Sequence, residues 1–434
     1  MLPVCLFYSL FPSGFTFHFA AKSLLLLLFL EWIRRNAMQK FLFLLLTLVL
    51  LGPLGIDLYL PAIPAIALGL NSSESVIQSS ISLFILVLGL GQLIAGPLVD
   101  RYGRRPMAIA GIFLYLIGVT IAATSINAAM FMGSRMVQSL GVCCTSVVLF
   151  SSVRDRLSGD DAARAYGFLN GTLNIVPALA PLIGGLIAQY YGWRAPFWAL
   201  LGYTLVVMVL VLAFLPETRP ANTKAVGSLP LGQYFRILRD GNFLAFALVN
   251  AGAMGMALTY VSLAPTVLMS TGGLSPLEFS LVFGANGFWI MLMSYIANRI
   301  IRKVGRPVCL ATGAILMLMG GAALFAGLAL LPVAIQLETW VYMLPVASAC
   351  AGLAFVIGPA TSYALEPYSK EAGIASALVG FVQMAGGAAL GLVAMALPLP
   401  PKASLAIVML TAFVLAWTAK RRSKTVKSTI SKLN

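Results

Sequence analysis

Long apolar windows separated by short polar breaks recur from Phe41 almost to the C-terminus. Twelve can be delimited, at about 41–62, 76–97, 106–126, 130–152, 164–188, 195–215, 242–268, 276–299, 307–329, 340–363, 372–397 and 403–420. Each approaches the roughly 20 residues that carry an α-helix across about 30 Å of hydrocarbon, so the pattern predicts an all-α polytopic membrane protein. One long polar interval, Glu217 to Asp240, follows the sixth window and contains Pro220, Gly227 and Pro230; it leaves no room for a soluble domain. The expected organisation is an N-terminal extension at 1–38, a six-helix bundle at 39–216, a cytoplasmic linker at 217–240, a second six-helix bundle at 241–420 and a basic tail at 421–434.

Composition agrees with the pattern. Of 434 residues 60% are apolar and 9% are Asp, Glu, Lys or Arg, against about 25% charged in a soluble domain. Lipid is the solvent that such a surface fits. A net charge of +15 would suit a nucleic-acid binder if the basic residues formed one patch, but they do not. Arg101, Arg104 and Arg105 follow the second window, Arg154, Arg156 and Arg164 the fourth, and Arg219, Lys224, Arg236 and Arg239 lie in the linker. Arg299, Arg302, Lys303 and Arg306 follow the eighth, Lys370 the tenth, and six more lie from Lys420 to Lys432. The opposite loops hold only Arg194 and Lys402. This bias places Lys40, the linker and the tail in the cytoplasm and makes the charge a report of topology, with no nucleic-acid partner implied.

Before Met38 an apolar run, Ser23 to Leu30, is preceded by Lys22 and followed by Glu31 and Arg34-Arg35. A signal peptide has the opposite charge order and a small-residue cleavage site. An additional helix and residues translated from upstream of a start at Met38 both remain open. Cys143, Cys144, Cys309 and Cys350 fall in apolar windows and Cys5 in the extension, which reads as packing rather than as disulfides or metal ligands. His18 has no ligand set around it. No metal or cofactor is expected.

Small residues suggest where helices approach closely. Gly171, Gly184 and Gly185 flank Pro177 and Pro181 in the fifth window, and Gly386, Gly387 and Gly391 mark the eleventh. Each proline removes a helical donor, so a bend there is expected. The most specific word is Gly96-Pro-Leu-Val-Asp100-Arg101-Tyr-Gly103-Arg104-Arg105-Pro106, between the second and third windows. Asp100 beside three arginines can anchor a loop through charge-assisted bonds, and Gly103 permits unusual backbone angles. A weaker relative, Asn298-Arg299 followed by Arg302-Lys303-Val304-Gly305-Arg306, comes after the eighth window. Two such words imply two repeated halves, as in an alternating-access carrier; with Asn298 in the place of the acid, the second latch should be weaker.

With these words the chain resembles the major facilitator superfamily, and within it the Bcr/CflA group of drug:proton antiporters. The resemblance covers about 39–420. It rests on Gly55-Ile-Asp57-Leu-Tyr59-Leu-Pro61-Ala-Ile-Pro64, the Gly96 to Pro106 word, Arg135-Met-Val-Gln138-Ser-Leu-Gly141, Val153-Arg154-Asp155 and Val176-Pro177-Ala-Leu-Ala-Pro181-Leu-Ile-Gly184-Gly185. It also accounts for Pro216-Glu217-Thr218, Ala264-Pro265 and the Gly386-Gly387 pair. It implies a twelve-helix major facilitator fold of two six-helix bundles, a proton as coupling ion, a membrane-embedded acid near Asp57, an Arg135 that positions it, and export of hydrophobic or amphipathic drugs.

Read from the residues alone, Asp57 is a carboxylate in an apolar window, a costly placement that makes it a default candidate for a proton or cation site. The alternative is that Pro61 marks a helix end and Asp57 sits in an exterior turn. Arg135 is the second intramembrane charge, with Gln138 one turn away; a structural arginine linking helices is its alternative role. A substrate cavity for an amphipathic organic molecule could draw on Tyr59, Gln138, Phe168, Asn170 and Asn174 before the linker, and on Asn250, Tyr260, Asn286, Phe288, Trp289 and Gln383 after it. Packing accounts for each of these equally well when taken singly, and least is expected of Asn286. The expected protein is a monomeric transporter of the bacterial inner membrane, not an enzyme. It has no nucleophile-base pair and no nucleotide-binding GxxxxGK[ST] loop. Proton-coupled movement of an endogenous metabolite is the other transport reading, and a membrane sensor that binds without flux is a third.

Overall fold

The computed structural model describes residues 37–157, 165, 169, 173, 176–220 and 231–433. Both readings of the extension before Met38, together with Phe168, Asn170, Gly171, Asn174 and the linker from 221 to 230, lie outside the described residues. By its internal contacts the chain divides between Leu46 and Thr47. The described residues of the first unit form the opening turns of one helix, and every other helix belongs to the second unit.

The helices, in chain order, are α1 (Ala37–Val49), α2 (Leu51–Asp57), α3 (Ile63–Gly69), α4 (Glu74–Tyr102), α5 (Arg104–Ala123), α6 (Ala128–Arg156), α7 (Val176–Tyr191), α8 (Ala195–Phe214), α9 (Leu231–Leu238), α10 (Gly241–Pro265), α11 (Pro276–Val304), α12 (Arg306–Leu330), α13 (Val333–Gln336), α14 (Thr339–Leu365), α15 (Ala372–Phe381), α16 (Gly387–Ala396) and α17 (Pro401–Leu433). Eleven helical spans among the described residues are long and apolar enough to cross a membrane. The fifth window is represented by the shorter α7, because much of 164–175 lies outside the described residues. Large apolar side chains such as Ile94, Phe113, Val209, Leu344 and Val414 stand exposed on these helices, as hydrocarbon contact requires.

Several predicted boundaries move. The first span continues past 62 to Gly69, α4 runs through Pro97 to Tyr102, and α17 runs through the basic tail to Leu433. The Gly96 to Pro106 word is therefore not a loop. Only Gly103 stands between two helices, because each continues until the backbone must reverse. Its φ of 103° and ψ of 163° lie in a region essentially restricted to glycine. Gly305, between α11 and α12, repeats this geometry with φ 80° and ψ 167°.

Repetition extends to packing. A Cβ on Gly111 of α5 would lie 2.8 Å from the Gly141 carbonyl of α6, and one on Gly313 of α12 would lie 2.6 Å from the Gly352 carbonyl of α14. Without side chains the two backbones of each pair meet directly, the contact that drives helix association where hydrophobicity cannot. The linker is not wholly irregular either: α9 buries Ile237 and exposes Leu231 and Phe235.

Candidate functional site

The first span is broken where Asp57 sits. Pro61 has no N–H to give the Asp57 carbonyl, and Pro64 none for Leu60. Accordingly α2 ends at Asp57, a 3₁₀ turn occupies Leu60–Ala62, and α3 resumes. Asp57 therefore ends a helix, but not in an exterior turn: the span continues for another twelve residues to Gly69 and Asp57 is buried.

Ending α2 there leaves its last carbonyls without helical donors. Arg135 of α6, fully buried, fills the gap by donating from Nη2 to the Gly55 carbonyl at 2.6 Å. Its Nη1 donates to Gln138 Oε1. The guanidinium lies over the Tyr59 and Phe84 rings, 4.7 Å from each centroid, within cation–π range. Arg135 Nε and Gln138 Nε2 are buried without partners. Tyr59 in turn bonds Ser80 Oγ at 2.9 Å and packs on Phe197 and Phe131. Of the predicted set, Tyr59, Arg135 and Gln138 are thus brought together, at the helix end that Asp57 forms. Tyr59, however, is a platform for Arg135 and not an open cavity wall. Among the described residues no ion pair is made to Asp57.

Helix α7 crosses this segment at Gly184, where an added Cβ would lie 1.7 Å from the Leu58 carbonyl. One residue on, Gly185 faces Ser280 of α11, whose hydroxyl donates to the Pro181 carbonyl at 2.8 Å. Ala178 meets Gly284 and Gly287 on the same helix. The helix passes through Pro181 unbroken, so the expected break at the proline pair is replaced by a close seam between α7 and α11. A second joint links helices before and after the linker. After Pro265 the chain widens into a π-helical turn, Thr266–Thr271. There Thr266 and Ser270 donate hydroxyl bonds to Glu74 of α4, and Gln78 donates to Thr266. Glu74 carried no expectation from sequence, where it reads only as an acid in a first helical turn.

The remaining candidates are scattered. Asn250 donates to Thr361 Oγ1 at 2.9 Å while its Oδ1 is unpaired. Trp289 is half-exposed and donates its indole N–H to the Ala347 carbonyl, and Phe288 is exposed. Gln383 lies in a second π-helical turn, Val382–Gly386, half-buried. Tyr260 is buried on α10.

At the other end of α4 the basic word forms a network. Arg104 is buried and bonds Asp155 from Nε at 2.7 Å and Asp100 from Nη1 at 3.0 Å. Glu217 accepts the Arg104 and Arg105 backbone N–H groups at 2.9 and 3.1 Å, capping α5. Partial burial alone would raise the Glu217 carboxyl, but backbone donors from Arg219, Arg104, Arg105 and Thr218 outweigh it and hold the group below its ordinary value. Arg101 contributes a carbonyl to Arg219, and Arg105 binds the Leu212 carbonyl. In the second copy Arg306 pairs with Glu366 at 3.1 Å and bonds Ser362. The expectation about Asn298 is corrected. Counted back from the glycine that ends each helix, the position of Asp100 is matched by Arg302, and the acid comes from beyond α14 instead.

Eleven long apolar spans, close glycine seams between helices before and after the linker, a buried acid in a broken helix and two glycine junctions each followed by an ion-paired arginine describe a membrane carrier. Residues 45–392 match the sequence model of the Major Facilitator Superfamily, to which this chain belongs. It is 32% identical over 349 residues to the multidrug resistance protein MdtL of Escherichia coli O9:H4 (strain HS), covering 80% of this chain and 86% of that one. To the MdtL of Escherichia fergusonii it is 31% identical over the same share. Its fold is similar to crystal structures of the peptide transporter POT in complex with sulfate (TM-score 0.72, 15% identity, 89% of this chain and 95% of that one) and of a POT family transporter with a thioalcohol-conjugated peptide (TM-score 0.73, 12% identity, 89% and 96%). The narrower expectation of a Bcr/CflA antiporter is overturned, since the match is to the superfamily and the relatives found are of the MdtL kind. The chain is a membrane transporter of this superfamily, not an enzyme, and handles small molecules from within a lipid bilayer. Among the described residues no three His, Cys, Asp or Glu side chains cluster as a metal site would.

Proposed function

We propose that the protein exports amphipathic organic compounds across the bacterial inner membrane in exchange for protons, as a monomer of two six-helix bundles (39–216 and 241–420). In this reading the linker and tail face the cytoplasm, the Glu74 joint closes the periplasmic end, and Asp57 carries the proton. The observation that carries it is a buried carboxyl in a broken helix with no ion pair of its own among the described residues, beside an Arg135 that is held by a backbone carbonyl two residues away, an amide and two rings. A carboxyl that is buried but not ion-paired is able to gain and lose a proton without dismantling a salt bridge. Arg135 and Gln138 then keep the break in shape around it. The MdtL relatives, named for multidrug resistance, support drugs as the cargo.

Asp57→Asn keeps the shape and cannot cycle a proton. In inverted vesicles, gradient-driven accumulation of a fluorescent drug by this variant should fall to background, with normal protein levels and with drug-induced proton release lost. Wild-type transport by the variant would remove Asp57 from the mechanism.

A further inference from the structure

Beside the Glu74 joint lies a cavity of about 390 Å³, between α4, the π-helical turn after Pro265, α16 and the start of α17. Its polar wall includes Glu74, Gln78 and Thr266, and its apolar wall Leu263, Met395, Leu397 and Leu399. Gln78 is 2% exposed and donates to the Thr266 hydroxyl oxygen, which leaves the Thr266 proton for Glu74 Oε2. Ser270 donates to Glu74 Oε1 at 2.6 Å. Each carboxylate oxygen thus accepts one hydroxyl bond and has a lone pair for a second. Among the described residues no ion pair is made to Glu74, and no basic or aromatic side chain lines the cavity. Lys402, next to the wall residue Pro401, gives its ammonium to the Gln336 carbonyl instead. The space is an aliphatic pocket with one unneutralised negative charge in its wall.

We infer that this cavity binds a protonated primary or secondary amine on a compact aliphatic body, and that the bound amine holds the joint shut. The ammonium N–H groups donate to the remaining lone pairs of Glu74 in charge-assisted bonds, and the aliphatic body covers Leu263, Met395, Leu397 and Leu399. The body is compact because the volume is at the small end of the range for ligand sites, about 300–1,000 Å³. A quaternary ammonium has no N–H to give and, with no ring in the wall, finds no cation–π cage; a neutral alcohol lacks the charge. The walls come from helices before and after the linker, so the pocket exists only while Glu74 reaches Thr266 and Ser270. A ligand that binds one conformation alone shifts the population toward it. The effect on transport rests on the export reading, in which this end faces the periplasm: the amine inhibits from outside and does not compete with cargo loaded from the cytoplasm.

The test is equilibrium binding of tritiated 1-aminoadamantane to the full chain in nanodiscs, with empty nanodiscs subtracted and with 1-adamantanol and N,N,N-trimethyl-1-adamantylammonium as competitors. The amine should bind about tenfold or more tightly than either, the equivalent of one bond to a charged group. Glu74→Gln should erase that preference. Leu397→Trp, which fills the cavity and leaves the Glu74 bonds in place, should abolish amine binding, and it decides if Glu74→Gln fails to fold. In proteoliposomes, amine at about a hundred times its Kd should slow drug efflux by about tenfold or more in wild type but not in Leu397→Trp, whereas collapse of the proton gradient by a weak base would slow both alike. Drug binding at equilibrium should be undiminished by the amine, as linkage requires of two ligands that favour one conformation. The inference falls if the three adamantanes bind equally, if Glu74→Gln keeps the preference, if wild-type efflux ignores the amine or Leu397→Trp is slowed as much, or if the amine displaces the drug and is therefore cargo. Asp57→Asn should bind the amine as wild type does. Glu74-dependent binding in a protein that exchanges no protons would sink the export reading alone, and proton exchange without an amine preference would sink this one alone.

Discussion

The two arginines that open α5 and α12 leave the same glycine geometry and reach different surroundings. Arg104 is 2% exposed against an Asp155 that is 6% exposed, and it holds Asp100 as well. Arg306 and Glu366 are 32% and 58% exposed, and the arginine also rests on the Tyr363 ring at 4.4 Å. An exposed pair is screened by water and contributes at most about 1 kcal/mol. A buried guanidinium that loses its acid becomes an uncompensated charge, at about 3–5 kcal/mol. The two glycine junctions thus carry one buried network and one exposed, weaker pair. The weakness of the second comes from exposure, not from a missing acid.

The sharpest way to break this asymmetry is Asp155→Ala, which leaves Arg104 only its 3.0 Å pair with Asp100 and should destabilise the protein by about 1–3 kcal/mol, the cost of an unmet bond to a charged group, and lower its melting temperature in detergent. A melting temperature within a degree of wild type would mean that the Arg104 network contributes nothing beyond shape. Glu217→Gln should have a middle effect, about 1 kcal/mol at neutral pH, the range for a charge at a helix N-terminus. Because the folded carboxyl is held below its ordinary value, its contribution is complete above the ordinary carboxylate range and is lost as pH falls through the folded value. Melting temperatures of wild type and Glu217→Gln should converge on acidification, and a gap that stays constant with pH would refute the capping role. Smallest should be Glu366→Gln, about 0.2–1 kcal/mol and diminished by added salt; an effect as large as that of Asp155→Ala would erase the asymmetry.

The spans were legible because bilayer thickness acts on each stretch of chain by itself. Asp57 was legible as an anomaly for the same reason. Its ambiguity was real, since Pro61 announces a lost helical bond but not whether the chain turns away or resumes. The partners were another matter. Asp155 lies 51 residues from Arg104 and Glu366 lies 60 from Arg306, so neither pairing has a local signature, and matching the two basic words by their charges instead of their glycines put Asn298 in the wrong register. The π-helical turn after Pro265 shifts the helical face there, which put the pairing of Thr266 and Ser270 with Glu74 out of reach of periodicity.

The contact of Gly184 with Leu58 has a mechanical reading. Helix α7 is clamped at Gly185 and Ala178 to α11, and at Gly184 it bears on the peptide that follows Asp57 with no side chain between. A joint without a compressible layer has no backlash. When α11 moves, α7 is positioned to deliver the displacement undiminished to the break in the first span, through a single turn of helix.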